Sequence, residues 1–289
     1  VGNVEHDGAA ELSQHGKAAH IDHQVVIAEG RAALGALSSR AMHYAYLPAL
    51  LRAYRSQMRR EYDLVHVEGA YPFGFVAAQA SGPVPYVANV QGADVIDLPD
   101  YDYGYRRFPL PRLAVKRALN KATAVRAISG LLKDYLVSEK LAPAGKIAVV
   151  YRAIEAQAFP APGESLQELR ERGRLMLAER YGIGLPRPVI MTLSRLHPFK
   201  GLEYLVDALG MIVQSCREQD IEPPWLVIGG PARTTESYGD YRAFLQKRAQ
   251  DHGIVQYIVF TGQIEHDEVK MHLAGADVFA CPSILEAQN

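Results

Sequence analysis

Cysteine is nearly missing from this 289-residue chain, with Cys216 and Cys281 as its two representatives. Two cysteines cannot build a disulfide framework, and without a CxxC or a Cys/His quartet they offer no zinc site, which fits a reducing cytoplasm. No apolar run nears the ~20 residues that cross a bilayer. The opening VGNVEHDGAAEL lacks the basic-then-apolar order of a signal peptide. A dominant charge is missing too: 31 Lys and Arg stand against 32 Asp and Glu, a net of -1. That balance gives no global field to draw nucleic acid, so nucleic acid is not an expected partner. Repeats and low-complexity tracts are also absent. With 48% apolar and 22% charged residues, disorder, collagen and coiled coil are excluded.

What is present is an alternation of short β-branched runs with longer helical patterns, at a length that exceeds what one core usually supports. The expected class is α/β with two Rossmann-like domains. Strands are expected at 25–28, 64–67, 86–90, 124–128 and 147–151, then at 189–193, 226–228, 257–260 and 278–281. They are apolar on both faces, as strands covered by helices are. After Gly201, Leu202, Leu205, Val206, Leu209 and Val213 recur at helical spacing. Prolines 160, 162, 186 and 188 bracket a charged stretch that should form its own helix. The expected division is residues 1–160, a linker with a helix over 161–186, and residues 187–289.

The charge is uneven within this balance. From Tyr103 to Lys133 there are eight Lys or Arg and no acid, with Arg112 and Lys116 one turn apart, as are Arg117 and Lys121. Segment 103–133 reads either as a solvated basic face or as an attachment surface for anionic lipid or a phosphorylated acceptor. His6, His15, His20 and His23 crowd the N-terminus, but no Cys or clustered carboxylate accompanies them, so no metal site is expected there.

The strongest chemical signal is Thr192-Leu-Ser-Arg195-Leu-His-Pro-Phe-Lys200-Gly201-Leu202, which closes a strand and opens a helix. Ligands of open α/β sheets sit beyond the carboxyl ends of strands, at helix N-termini. An Arg and a Lys there suit a diphosphate, one gripping two oxygens and the other acting as a point charge. Gly229 and Gly230 follow the next strand, where they either let backbone approach a nucleotide or form a tight turn. A dinucleotide fingerprint is not completed, since the third glycine and the acid after the next strand are missing. The sequence ends in Ala276-Asp-Val-Phe-Ala-Cys-Pro282-Ser283-Ile-Leu-Glu286-Ala287-Gln288-Asn289.

The ordered set Arg195, Lys200-Gly201, Gly229-Gly230, Val259-Phe-Thr-Gly262, Ala276-Asp277 and Pro282-Ser283 with Glu286 resembles the C-terminal domain of the retaining GT-B glycosyltransferases of family 4. The first half is similar through Tyr62-Asp-Leu-Val-His66-Val-Glu68, Val90-Gln91-Gly92-Ala-Asp94 and residues 125–129. The resemblance implies two domains facing across a cleft, with a hydroxyl acceptor on the first and a nucleotide-sugar donor on the second. It implies that Arg195 and Lys200 hold the diphosphate, Glu286 the donor sugar, and that Ala287, Gln288 and Asn289 supply amides. On the acceptor side it singles out Glu68, Gln91, Gly92 and Asp94. No cofactor or metal is implied. Taken alone, Glu286 also reads as a helix N-terminal acid, and Gln91 as a strand-end turn residue.

The departures carry expectations too. Gln91 stands where the family commonly has His and cannot titrate. The first strand and its glycine-rich loop are not recognisable in residues 1–20. The second family glutamate would fall at position 294, so the resemblance implies an incomplete C-terminal domain and little activity for residues 1–289 alone. Asp100-Tyr-Asp102 mimics the metal-binding Asp-x-Asp of the other glycosyltransferase fold, but it lies well past the strand at 86–90. Its carboxylates are expected in a mobile, solvated aromatic loop, with acceptor contact as the minor reading. The rival to a transferase is a non-catalytic relative that binds a partner enzyme or a membrane surface. A nucleotide-sugar epimerase would need an acid/base set that is not apparent.

Overall fold

The β-branched runs, apolar on both faces, form two four-stranded sheets in which every neighbouring pair is parallel. The computed structural model describes residues 47–59, 62–152 and 163–287, so the strand expected at 25–28 and the four N-terminal histidines lie outside the described residues. The first half runs α1 (Leu47–Gln57), β1 (Val65–Glu68), α2 (Phe75–Ala80), β2 (Tyr86–Val90), α3 (Pro109–Lys121), β3 (Ala124–Ala127), α4 (Gly130–Ser138) and β4 (Ile147–Val149), with sheet order β1-β2-β3-β4. The second half runs α5 (Leu166–Tyr181), β5 (Val189–Leu193), α6 (Leu202–Glu218) and β6 (Trp225–Gly229). It continues through a small antiparallel ribbon of β7 (Thr234–Thr235) and β8 (Gly239–Asp240), then α7 (Tyr241–Asp251), β9 (Ile258–Gly262), α8 (Val269–Gly275) and β10 (Val278–Phe279). Its large sheet has the order β10-β5-β6-β9.

Two expected strands end early. β4 stops at Val149 and β10 at Phe279, although Val150 and Ala280 each still donate one amide to the neighbouring strand before the chain turns away. Each sheet has its own core. In the second, Leu202, Val206, Leu209 and Val213 of α6 are almost fully buried with Leu226 and Ile228, as the helical spacing predicts. Among the described residues no helix is long and apolar enough to cross a membrane.

The helix expected inside the stretch 161–186 is α5, opened by a Ser165/Glu168 capping box and closed by Gly182 at φ 67°. It packs as part of the second half. Leu177 is fully buried with Val189, Met191 and Val227, and Arg174 reaches Asp277 in front of β10 at 2.6 Å. Its Gly173 backs directly onto α8, where a β-carbon would lie 2.5 Å from Gly275 N and 2.7 Å from Met271 O. Backbone atoms cannot step aside as a side chain could.

Gly173→Ala should therefore destabilise the protein by about 1–3 kcal/mol through overpacking, outweighing the ~1 kcal/mol that alanine normally gains in a helix. Gly130→Ala, where a β-carbon meets nothing within 4 Å, should be neutral or stabilising. Denaturant unfolding of the two variants beside the parent decides this, and equal stabilities would refute the close-packing argument.

Candidate functional site

Three loops leave the carboxyl edge of the second sheet, after β5, β6 and β10, and meet backbone to backbone. Gly230, at φ +136°, has its α-carbon against Ser194 O, where a β-carbon would collide. Gly201, at φ +64°, faces Pro282 O in the same way. Leu196 N and Arg233 N complete the junction by donating to Pro231 O and Leu196 O at 2.9 and 3.2 Å. Gly230, directly after β6, thus serves the packing of the Arg195 loop.

Arg195 and Lys200 emerge from this layer between buried anchors, Leu196 and Phe199, each 2% exposed. Both cations approach the Phe199 ring, with Arg195 Cζ 6.0 Å and Lys200 Nζ 4.7 Å from its centroid. Lys200 is ion-paired with Glu286 Oε1, which also accepts from Ser283 Oγ at 2.5 Å. Gly201, directly after Lys200, is the N-cap of α6, so the positive dipole end of that helix faces the same place. The arrangement gathers two cations and a helix start, with the lysine held by an internal carboxylate. Gln288 and Asn289 lie outside the described residues.

Ala287 carries the loop after β10 across to the first half. Its carbonyl accepts from Ser129 Oγ, the cap of α4, and a β-carbon on Gly92 would lie 3.2 Å from its Cβ. Gly92 therefore stands beside the loop after β10. Asp94 does not face open space: its carboxylate accepts from the amides of Ala70, Gln91 and Gly92 at 2.8, 3.1 and 2.9 Å. Burial raises its pKa and the amides partly offset this. Asp94 ties together the loops after β1 and β2. Glu68 and Gln91 fall in a neighbouring polar cluster. Glu68 accepts from Asn89 Nδ2 and from Gln91 Nε2, and Gln91 Oε1 accepts from Arg152.

The loop read as mobile and solvated is ordered by contacts, and this is a correction for Asp102. Leu98 and Tyr103 form a short antiparallel bridge. The Asp102 side chain is 8% exposed, accepting from Ser237 N at 2.7 Å and Arg107 at 3.1 Å. Burial opposes its charge, but the Ser237 and Arg107 interactions outweigh it and hold the carboxyl below its usual range. Asp100 is exposed, as expected. Among the described residues no three His, Cys, Asp or Glu side chains gather as a metal site.

The basic run is mostly consumed within the chain. Arg106 pairs with Glu139, Arg107 with Asp102 and Arg112 with Asp97, while Lys121 donates to Ala78 O and Arg126 to Asn89, Val150 and Tyr151. Only Lys116, Arg117 and Lys133 of the eight are not held by a carboxylate or carbonyl of the described residues. A charge count over 103–133 could not reveal partners that lie elsewhere in sequence.

Sequence reading missed the aromatic group beneath the cations. Tyr103 stacks on Phe199 at 3.8 Å and 24°, and His197 meets both rings edge-on at 5.9 and 5.1 Å. Burial first, then the Arg195 charge, lowers the His197 pKa from 6.5 to about 4, with Arg107 and Arg233 adding to this and Asp102 opposing. The unfolded chain binds this proton below about pH 6.5 while the folded one resists it down to about pH 4. Acid therefore favours unfolding across that window, and nothing further is gained above it. Stability should fall as pH drops from about 6.5 towards 4, and His197→Gln should flatten the decline. Parallel slopes of Tm against pH for the two proteins would refute it.

The model for "Glycosyltransferase Family 4" matches residues 9–158, and that for "Glycosyl transferases group 1" matches residues 177–288. The chain is 29% identical over 234 residues to the GDP-mannose-dependent alpha-(1-6)-phosphatidylinositol monomannoside mannosyltransferase of Mycolicibacterium smegmatis, covering 78% of this chain and 53% of that protein. It is 26% identical over 277 residues to the 2-deoxystreptamine glucosyltransferase of Streptomyces kanamyceticus, covering 91% and 66%. The chain thus spans about half the length of the mycobacterial relative. Its fold is similar to that of sucrose-phosphate synthase from Thermosynechococcus elongatus, with a TM-score of 0.67 at 17% identity over 93% of this chain and 63% of that one. It is similar also to Anabaena HepE, solved with UDP and glucose, with a TM-score of 0.61 at 20% identity over 85% and 58%. The two sheets have the GT-B architecture, and with a family model covering more than half of its length the chain belongs to glycosyltransferase family 4.

Proposed function

We propose that the protein moves a sugar from a nucleotide-diphosphate-sugar donor to an acceptor hydroxyl and keeps the anomeric configuration. The observation that carries this reading is the pair of cations, Arg195 and Lys200, held over one buried ring at the carboxyl edge of the second sheet with Glu286 beside them. Similarity to a mannosyltransferase and a glucosyltransferase supports hexosyl transfer.

In this reading the donor diphosphate lies across Arg195 and Lys200. Lys200 exchanges Glu286 for a phosphate oxygen, which leaves Glu286 to accept from donor-sugar hydroxyls. The acceptor oxygen then bonds to the anomeric carbon as the bond to the diphosphate breaks, and the electron pair leaves with the diphosphate. The two cations neutralise the charge that develops there. The departing phosphate oxygen takes the acceptor proton on the same face, so the configuration is retained. Gln91 cannot take that proton, and Asp94 is enclosed by amides. Gly92 and Ala287 sit where the two halves meet, at the entrance expected for the acceptor.

Made in a full-length protein, Arg195→Ala and Lys200→Ala should each lower turnover by roughly a hundredfold or more, the loss typical of one preorganised charge at a leaving group. Folding should persist, because partly exposed loop cations contribute little to stability. The check is kcat beside Tm for each variant, and near-normal kcat in either one removes the diphosphate assignment.

Because Arg195, Lys200 and the α6 terminus supply the neutralising charge, and Asp102 is committed to Ser237 and Arg107, the reaction is proposed to be metal-independent. Most of the rate should survive excess EDTA. Abolition by EDTA with rescue by manganese or magnesium would overturn this part of the proposal.

A further inference from the structure

We propose that Asp102 is a positioning residue for the donor site: each half of the protein holds one of its carboxylate oxygens, and this pins the Tyr103 ring against Phe199, the ring that Arg195 and Lys200 approach. The inference rests on the diphosphate reading of those two cations and adds to it a requirement from the opposite half.

Asp102 Oδ1 accepts from Arg107 of its own half at 3.1 Å, and Oδ2 accepts from the Ser237 amide of the second half at 2.7 Å. Both sides of this contact are stiff. On the first half, Leu98 and Tyr103 exchange backbone hydrogen bonds at 3.0 and 3.1 Å, Asp102 N donates to Pro99 O at 3.1 Å, and Tyr105 N donates to Ala93 O at 2.9 Å. Gly104, at φ +94°, lies so close to the Ile96 carbonyl that a β-carbon would collide with it. Asp102 itself stands at φ 52°, a left-handed conformation that aspartate tolerates better than most side chains. On the second half, Ser237 lies in the turn between β7 and β8. Tyr238, next to it, meets the rings of Tyr241 and Phe244 edge-on at 5.6 and 5.3 Å, and Tyr241 is fully buried. A fixed loop tip therefore meets a fixed turn.

Tyr103 follows Asp102 directly, and its ring stacks on Phe199 at 3.8 Å and 24°. Phe199 is 2% exposed, with Arg195 Cζ 6.0 Å and Lys200 Nζ 4.7 Å from its centroid. One face of the ring that roots the cation loop is thus covered by the other half. The Asp102 side chain is only 8% exposed, so losing the Ser237 amide would leave a buried carboxylate oxygen without its partner in the second half. That penalty favours the seated arrangement over one in which Tyr103 has lifted away. When the stack opens, Phe199 meets water, and the segment from which both cations emerge loses its cover. A nucleotide diphosphate that needs both cations then binds only the seated fraction of molecules, and its apparent dissociation constant rises as that fraction falls.

The test is calorimetric titration of the full-length protein with UDP, GDP and ADP, with Tm recorded beside each titration. It uses the parent, Asp102→Ala, Asp102→Asn, Tyr103→Ala, the Asp102→Ala/Tyr103→Ala double variant and Arg195→Ala. Asp102→Ala and Tyr103→Ala should each raise the dissociation constant of the bound nucleotide about three- to tenfold, as when the seated fraction falls to roughly 10–30%. Asp102→Asn should recover most of the affinity, because its side-chain carbonyl still accepts the Ser237 amide. The double variant should bind no more weakly than Tyr103→Ala alone, because Asp102 acts through that ring. A merely structural aspartate would lower Tm and leave nucleotide binding by the folded protein unchanged. Binding by Asp102→Ala within twofold of the parent, while Arg195→Ala binds weakly, overturns the inference and leaves the diphosphate reading standing. An Asp102→Asn variant as weak as Asp102→Ala, or a full additional loss in the double variant, overturns it too. If Arg195→Ala binds as the parent does, or none of the three nucleotides binds the parent, the diphosphate reading itself falls and this inference with it.

Discussion

At Gly230 the α-carbon faces the Ser194 carbonyl, and at Gly201 it faces the Pro282 carbonyl, with no room for a β-carbon at either point. Both residues also sit at positive φ, so an L side chain would meet strain as well as collision. These two contacts stack the loops after β5, β6 and β10 into one layer. Arg195 is rooted beside the buried Leu196 and Lys200 beside the buried Phe199, so both cations leave from fixed backbone although their tips reach polar surroundings. Fixed roots matter because a charge stabilises a reaction best when nothing must be reorganised at the moment the charge develops.

The two cations are restrained by different means. Lys200 is held by Glu286, an opposite charge that has to be displaced before the lysine can meet a phosphate. Arg195 lies over the Phe199 ring, on which Tyr103 of the first half stacks. The first restraint comes from the loop after β10, and the second is a ring of the same half that Tyr103 covers from the other half. In the proposed reaction, donor-sugar recognition by Glu286 would therefore be tied to the release of Lys200 toward the diphosphate.

The legible parts of the molecule were those whose signals are local. Parallel strands buried on both faces leave uninterrupted runs such as Val189–Leu193 and Trp225–Gly229, and α6 prints its buried stripe at helical spacing. The strand, Arg195, Lys200, Gly201 and helix order stood out for the same reason. Asp102 and Tyr103 were misread because their partners, Ser237 and Phe199, lie about a hundred or more residues away, and an acid between aromatic residues looks like loop until they are known. The internal partners of the basic run were hidden in the same manner: Glu139 lies beyond its end, and Asp97 and Ala78 before its start. Gly229 and Gly230 were visible as a turn, but the carbonyl that requires Gly230 belongs to the preceding βα loop.

The acceptor side narrows the chemistry further. Of the residues singled out there, Gly92 has no side chain, Gln91 cannot exchange a proton at neutral pH, and its amide is tied at both ends to Glu68 and Arg152. Asp94 spends its carboxylate on three backbone amides that hold together the loops after β1 and β2. Glu68 remains a carboxylate, but it accepts three side-chain amide hydrogen bonds from Asn89 and Gln91 and so serves as the hub of a polar cluster at the ends of β1 and β2. A reaction that relied on a protein base at this edge would have to break one of these networks. A reaction in which the leaving diphosphate takes the acceptor proton needs none of them broken, and its demands fall on the elements the fold holds most firmly: the layered loops, Arg195, Lys200 and the ring beneath them.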